Sequence, residues 1–389
     1  MATFVLQSLS AQVSAINTVC YSNHLAYRQS RGRKVPASEI LEIFQGLQDS
    51  YLTDFDVLLS GYVPDAETVA AVGKIARLLK DEARLRPGGF LWVLDPVMGD
   101  NGRLYIPEGE VPAYKSILRE ADLILPNQFE AELLSEVTIS DLSSLGTAIH
   151  ALHRGYGVPH IVVTSLRISK VSEKTLPASV NGSAANADAQ EEDVLSVVGS
   201  SATSNGEPRL WRIDIPAFPV FFSGTGDMFA ALMVVRLREA AAAANLLDKA
   251  SWRCSDEVPA EETPLALAAE KVLASMQAVL GKTYEVYKKE IPKIDKAPER
   301  AGRGESEEAR KEEEMKRHLR KTKAAEVNVV RNVRDLLEPP EVEKYKARAL
   351  NIEFSRPPSR GPDEVGVVHL GGKSGDGAIH TVNDRRWGP

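Results

Sequence analysis

The chain has 389 residues, 43% hydrophobic and 26% charged, a balance ordinary for a globular protein with a sizeable core. A formal net charge of −7 argues against nucleic acid as the main partner, because phosphate binders are usually basic. Two distant cysteines, Cys20 and Cys254, exclude a disulfide framework or a cysteine-built zinc site, and no apolar run approaches the ~20 residues that span a bilayer.

In chain order, strands are predicted at 13–20, 55–60, 90–95, 123–125 and 161–164. Between the second and third, residues 66–79 place Val69, Val72, Ile75, Leu78 and Leu79 on one helical face. Later strands end on small or polar clusters: Ser60-Gly61-Tyr62, Asp95-Pro96, Pro126-Asn127 and Thr164-Ser165. Strand–helix alternation of this kind predicts an α/β fold, with a central, mostly parallel sheet and helices on both faces. Ligands of such sheets sit beyond the carboxyl ends of the strands, where these clusters fall. Residues 170–193 form a low-complexity insert, and 194–199 with 209–215 read as an antiparallel edge pair. Residues 284–325 are dense in charges of both signs, which predicts a solvated helix or a flexible linker. After Leu350, eleven Gly or Pro in 39 residues predict a disordered tail, 351–389.

Three segments carry chemistry. Phe222-Ser223-Gly224-Thr225-Gly226-Asp227 is a glycine-rich turn leading into an apolar helix expected at 230–247. Its glycines let backbone N–H groups converge, and a helix N-terminus adds partial positive charge, so the turn suits an anion. Asp227 conflicts with that charge unless it accepts a proton from an attacking hydroxyl; the plainer reading is an acid that favours a helix start. Asp95 closes a buried strand, a place that needs a cation or hydrogen-bond donors, and Asp100 follows it in Pro96-Val97-Met98-Gly99-Asp100. Asn127-Gln128-Phe129-Glu130 fits a capping box, a site for Mg²⁺ held through water, or both. No P-loop is present: Gly281-Lys282-Thr283 and Gly372-Lys373-Ser374 both lack the earlier glycine, which is Met276 and Val367.

Taken together, Tyr21-Ser22-Asn23-His24, Ser60-Gly61-Tyr62, Asp95 to Asp100, Pro126-Asn127-Gln128-Phe129-Glu130-Ala131-Glu132-Leu133-Leu134 and Gly224-Thr225-Gly226-Asp227 resemble the pyridoxal kinase family of the ribokinase-like superfamily. The resemblance implies a ribokinase-like domain over 1–282, a charged linker at 283–326 and the domain's C-terminal end at 327–350. It also implies ATP-dependent phosphorylation of the 5′-hydroxymethyl group of pyridoxal, pyridoxine or pyridoxamine. Asp227 would be the catalytic base, with Gly224, Thr225 and Gly226 as the anion hole. Asp95 and Glu130 would organise Mg²⁺, alongside a monovalent cation such as K⁺ or Na⁺. Asp100, Tyr105, Asn127, Thr164 and Ser165 would face ATP, while Tyr62, Leu25 and Asp227 would face the vitamin. A homodimer is implied as well, with no nucleic-acid or membrane partner, and the start of the chain, without a basic leader, reads as cytoplasmic.

The sequence departs from the family pattern in three places. Leu25 and Leu125 each stand where the family has Thr. The family's first strand and glycine-rich substrate loop, on the order of 20 residues, would precede Met1, which is expected if the start was placed too far downstream. The alternatives are a kinase of another small molecule, of the hydroxymethylpyrimidine type, and a catalytically impaired nucleotide-binding homologue.

Overall fold

The structure is a computed structural model and describes residues 1–107, 109–167, 194–296 and 307–355. The strands are β1 (Val19–Tyr21), β2 (Gly32–Lys34), β3 (Val57–Ser60), β4 (Leu91–Leu94), β5 (Gly99–Asp100), β6 (Arg103–Leu104), β7 (Leu123–Ile124), β8 (His160–Leu166), β9 (Val194–Ala202), β10 (Pro208–Pro216) and β11 (Arg348–Ala349). The helices are α1 (Ala2–Ser8), α2 (Ala37–Asp49), α3 (Ala66–Glu82), α4 (Glu110–Ile117), α5 (Gln128–Ser135), α6 (Leu142–Tyr156), α7 (Thr225–Ala243), α8 (Pro264–Lys296), α9 (Glu307–Ala324) and α10 (Val333–Leu337).

One sheet of seven strands runs in the order β3-β4-β7-β8-β9-β10-β11. The pairs β3–β4, β4–β7 and β7–β8 are parallel; from β8 onward the neighbours are antiparallel. Alternation of side chains along each strand feeds two separate cores. Leu91, Val93, Leu123, Val162 and Val197 enter the first, with α1, α7 and α8. Trp92, Leu94, Ile124, Ile161, Val163 and Val198 enter the second, with α2, α3 and α6. The expected α/β fold with helices on both faces is the one found. The predicted helix is α3, started by Asp65, whose carboxylate accepts from the Thr68 N–H at 2.9 Å.

Several elements differ from expectation, each for a local reason. Of residues 13–20, only the end is a strand, and β1 pairs with β2 in a two-stranded ribbon outside the main sheet. Val13 packs on the first core and Ile16 on the second, so this segment passes from one face to the other instead of lying in the sheet. The antiparallel pair of β9 and β10 exists, but β9 is flanked by β8 and β10 rather than lying at an edge. Its Gly199 lies directly beneath the Trp211 indole, where a Cβ would overlap the ring. The boundary drawn at 282–283 falls inside α8, which continues to Lys296, and the charged segment after it contains the helix α9. Lys282, in the sequence that looked like a P-loop fragment, pairs with Asp335 at 2.6 Å. The insert 170–193 lies outside the described residues.

The start of the expected tail is part of the fold. Residues 356–389 lie outside the described residues, but Ile352 and Phe354 pack on the second core. Gly146 of α6 permits this, because a Cβ there would come within 2.9 Å of the Phe354 ring. Phe354 also meets His150, with ring centroids 5.8 Å apart. Because the ring is only half-buried, Phe354→Ala is expected to lower stability by about 1.5–2 kcal/mol, less than a full core deletion. Urea unfolding measures it, and an unchanged midpoint would mean that 351–355 adds nothing to the core.

Candidate active site

The site forms where the carboxyl ends of β3 and β4 meet the start of α7. Helix α7 begins at Thr225, five residues before the expected start, which puts Asp227 in its first turn. Gly224 is the N-cap, with φ of 83°, a left-handed conformation that glycine adopts without strain. Its carbonyl accepts the Met228 N–H at 3.1 Å, closing the first helical turn. No side chain caps the helix, so the N–H groups of Gly224, Thr225, Gly226 and Asp227 remain available to an acceptor outside it. Such an arrangement suits an anion, with the positive end of the helix dipole behind it.

Carboxylates surround this turn. Asp95 follows β4, and a Cβ on Gly226 would lie 3.6 Å from its Oδ2. Gly61 follows β3, and a Cβ there would lie 3.9 Å from Asp227 Oδ1. Asp95 is buried, and desolvation raises its carboxyl well above the ordinary range, with the Glu130 and Asp227 charges pushing the same way. The Asp227 side chain is reached by water, yet the surrounding protein desolvates it enough to raise its pKa, opposed by the Met1 ammonium.

Glu130 holds the loop between these elements. Its Oε1 accepts from the N–H groups of Met98 and Gly99 at 2.9 and 3.4 Å, and its Oε2 from Asn127 N–H at 2.9 Å. Asn127 Oδ1 accepts in return from Glu130 N–H at 3.0 Å, completing the capping box at the start of α5. Burial lifts the Glu130 pKa to about 7, against the lowering effect of those three backbone donors. Asn127 Nδ2 also donates to the Gly99 carbonyl at 2.7 Å, tying α5 to the β5–β6 hairpin. Among the described residues, no three His, Cys, Asp or Glu side chains converge to hold a metal by themselves.

The residues expected to face a nucleotide lie on adjoining segments. Thr164 bridges to Asn127 in parallel register, and its N–H donates to the Pro126 carbonyl at 3.0 Å. Ser165 follows at a bulge in β8 with φ of 58°, a strained backbone at a strand end. Asp100 is engaged locally, accepting from Asn101 N–H and Nδ2 at 2.7 and 2.9 Å. Tyr105 is exposed on the segment after the hairpin, its hydroxyl pKa raised by burial and then by Asp100. Tyr62 is half-buried beside Gly61, and Thr18 Oγ1 donates to its carbonyl at 2.7 Å.

Leu25 stands apart, 56% exposed on the loop between β1 and β2, whose outward ties run to His318 of α9 and to Glu326 just after it rather than to Asp227. Sequence reasoning missed Tyr114, which is fully buried and whose hydroxyl pKa is raised by burial, then by Asp95, Glu110 and Glu130. Its place in an ordinary amphipathic helix, α4, gave no sign of the carboxylates around it.

Comparison with known proteins agrees with this geometry. The family model for phosphomethylpyrimidine kinase matches residues 13–197. A pyridoxal kinase of Dictyostelium discoideum is 31% identical over 297 residues, covering 75% of this chain and 83% of that protein. The chain belongs to the pyridoxal kinase family. The human pyridoxal kinase is 35% identical over 243 residues, covering 60% of this chain and 70% of that protein. The pyridoxal kinase of Leishmania donovani, solved in complex with ADP and pyridoxamine, superposes with a TM-score of 0.63 at 26% identity. That match covers 89% of this chain and 91% of the other.

The carboxyls have a consequence for pH. Asp95, Glu130 and Asp227 all hold protons more tightly in the folded chain than ordinary carboxyls do. The folded state therefore binds more protons than the unfolded one, and stability falls as pH rises from the unfolded Glu value of 4.5 through the Glu130 value of about 7. A divalent cation bound beside these carboxyls would favour their ionised forms and displace the protons. The rise in melting temperature produced by MgATP is expected to be larger near pH ~8 than near pH ~6. An equal rise at both would mean that these carboxyls do not face the bound ligand.

Proposed function

We propose that this chain transfers the γ-phosphoryl group of ATP to the 5′-hydroxymethyl oxygen of pyridoxal, pyridoxine or pyridoxamine, giving the 5′-phosphates. The observation that carries the reading is the placement of Asp227 in the first turn of α7, one residue from the free N–H groups of the turn. A carboxylate beside an anion site serves a reaction in which a hydroxyl loses its proton while a phosphoryl group gains charge. Membership of the family and the likeness to a kinase solved with ADP and a B6 vitamer support the same reading.

In this mechanism the 5′-hydroxyl lies between Asp227 and the γ-phosphorus. Its proton passes to the Asp227 carboxylate as the new O–P bond forms and the bond to the β,γ-bridging oxygen breaks, releasing ADP. The raised pKa of Asp227 brings it nearer to working pH and makes it a better base than an ordinary aspartate. The N–H groups of Gly224, Thr225, Gly226 and Asp227 stabilise the equatorial oxygens of the transferring group. Nearby, Asp100, Tyr105, Asn127, Thr164 and Ser165 border the nucleotide, and Tyr62 lines the vitamin side.

A nucleotide enters such kinases with a divalent metal, and the donor set fits one. Asp95 is a buried carboxylate pressed by two others, and a cation is what it lacks. Glu130 already accepts three backbone donors, so its part is to fix Asn127 and the Gly99 turn and to add negative charge. Mg²⁺ would neutralise the β- and γ-phosphate oxygens, bound by few protein ligands and several waters as that ion prefers. The monovalent cation, the homodimer and a cytoplasmic location belong to the same proposal; among the described residues no helix is long and apolar enough to cross a membrane.

The test is formation of pyridoxal 5′-phosphate from pyridoxal and MgATP, with Asp227→Asn as control. The variant is expected to lose at least about a hundredfold in kcat, the usual worth of a positioned base, while the ATP Kd stays within about twofold. ATP affinity that collapses with turnover would remove the role assigned to Asp227. Because the phosphomethylpyrimidine kinase model matches 13–197, a hydroxymethylpyrimidine is the second acceptor to assay.

A further inference from the structure

The charged segment after α8 holds the loop between β1 and β2, which carries Leu25, the residue that the family resemblance sets toward the vitamin. Between β1 and β2 the chain makes a loop closed on itself: Ser22 N–H donates to the Arg31 carbonyl at 2.7 Å, and Asn23 Nδ2 to the Gln29 carbonyl at 2.6 Å. At its tip is the short turn Leu25–Tyr27, with the His24 and Tyr27 rings 4.8 Å apart. Glu326 reaches this turn from the far end of the chain. Its Oε1 lies 2.8 Å from His24 Nε2 and accepts from Tyr27 Oη at 2.8 Å. From α9, His318 Nε2 donates to the Ala26 carbonyl at 2.9 Å. Three contacts on this one turn therefore come from a segment roughly three hundred residues away in sequence, two of them through a single carboxylate oxygen.

The two partners are rooted on opposite faces of the sheet. The ribbon that carries the loop rests on the second core through Val35, and on the end of β3 through Thr18 to Tyr62 and Lys34 to the Pro64 carbonyl at 2.9 Å. Glu326 is followed by Val327, which enters the first core, and by Asn328, whose N–H donates to Thr283 Oγ1 of α8 at 3.1 Å. Helix α9 is tied to α8 by Arg317 and Lys321, both on Asp295 at 2.6 and 3.0 Å. Helix α8 in turn packs on α7, which carries Asp227. A contact between Glu326 and the loop thus ties the loop that carries Leu25 to the helices that carry Asp227.

We propose that Glu326, backed by His318, is a clasp that sets the position of the 22–31 loop, making both of them positioning residues for the B6 acceptor. The inference rests on the proposed function for the nature of the acceptor, but the clasp itself does not. Exposure argues against a mainly stabilising role: the His24 and Glu326 side chains are 31% and 47% exposed, and pairs of that kind contribute little to global stability. Their effect belongs instead to the geometry of a loop that has few other anchors.

The experiment compares wild type, Glu326→Ala and Glu326→Gln in the full chain by hydrogen exchange and by steady-state kinetics. Removing the carboxylate is expected to speed exchange of the 22–31 amides about tenfold or more, with the rest of the chain and the melting temperature unchanged. The KM for pyridoxal is expected to rise about fivefold, with the KM for ATP and kcat within about twofold. Glu326→Gln, which keeps an acceptor for Tyr27, is expected to recover most of both effects. Unchanged exchange at 22–31 would overturn the clasp. Faster exchange with an unaltered pyridoxal KM would overturn its positioning role, as would an equal rise in both KM values. Exchange is read without substrate, so a wild-type chain that made no pyridoxal phosphate would count against the proposed function while the exchange result still decided the clasp.

Discussion

Everything at this site follows from the desolvation of carboxyl groups at and beside the first turn of one helix, with Asp95 pressed further by the Glu130 and Asp227 charges. Asp95, Glu130 and Asp227 come from the end of β4, the start of α5 and the start of α7, and each lies where burial raises its pKa. A cluster of that kind destabilises the empty protein. Three features offset it: the N-terminal dipole of α7, the backbone donors on Glu130, and the protons the carboxyls retain. On the proposed function, a nucleotide bearing a divalent metal would supply what is missing, positive charge for the carboxyls and phosphate oxygens for the free N–H groups. Binding and charge relief are then the same event.

The fold makes this cluster possible because its sheet is parallel where the site is. Strands β3, β4, β7 and β8 all point their carboxyl ends the same way, so Gly61, Asp95, Asn127 and Ser165 emerge at one end from four neighbouring strands. The antiparallel extension through β9 to β11 lies on the other side of β8 and buries Trp211 beneath α7 and α8, where it supports the helix whose start forms the anion site. Contacts that cross from one core to the other, such as Glu326 to His24, tie the β1–β2 loop to the face of the sheet that carries α7 and α8.

Features written in local sequence were legible and features made by tertiary contact were not. Unbroken apolar runs at Leu91–Leu94 and Ile161–Val163 announce strands buried on both faces, and the Asn127–Glu130 spacing announces its capping box. Membership of the family could be read from the same short motifs. By contrast, the glycines at 224 and 226 hid the first turn of α7, because glycine is a poor helix former and the turn is stabilised by the packing of Met228 and Phe229. The run at 13–20 looked like a strand only because Val13, Ile16 and Val19 are apolar; they serve different surfaces. The charged segment 307–326 reads as a solvated face, since its role rests on one glutamate and one histidine meeting a loop far away in sequence. Phe354 was lost in a Gly- and Pro-rich background, and only the gap above Gly146 shows why it is ordered.

The most direct test of the central claim is a crystal structure of the chain with MgADP and pyridoxal. The account predicts the β-phosphate beside the first turn of α7 and the 5′-hydroxyl oxygen within hydrogen-bond reach, about 3 Å, of the Asp227 carboxylate. A nucleotide whose phosphates lie away from Gly224–Gly226, or a 5′-hydroxyl that meets a side chain other than Asp227, would contradict it.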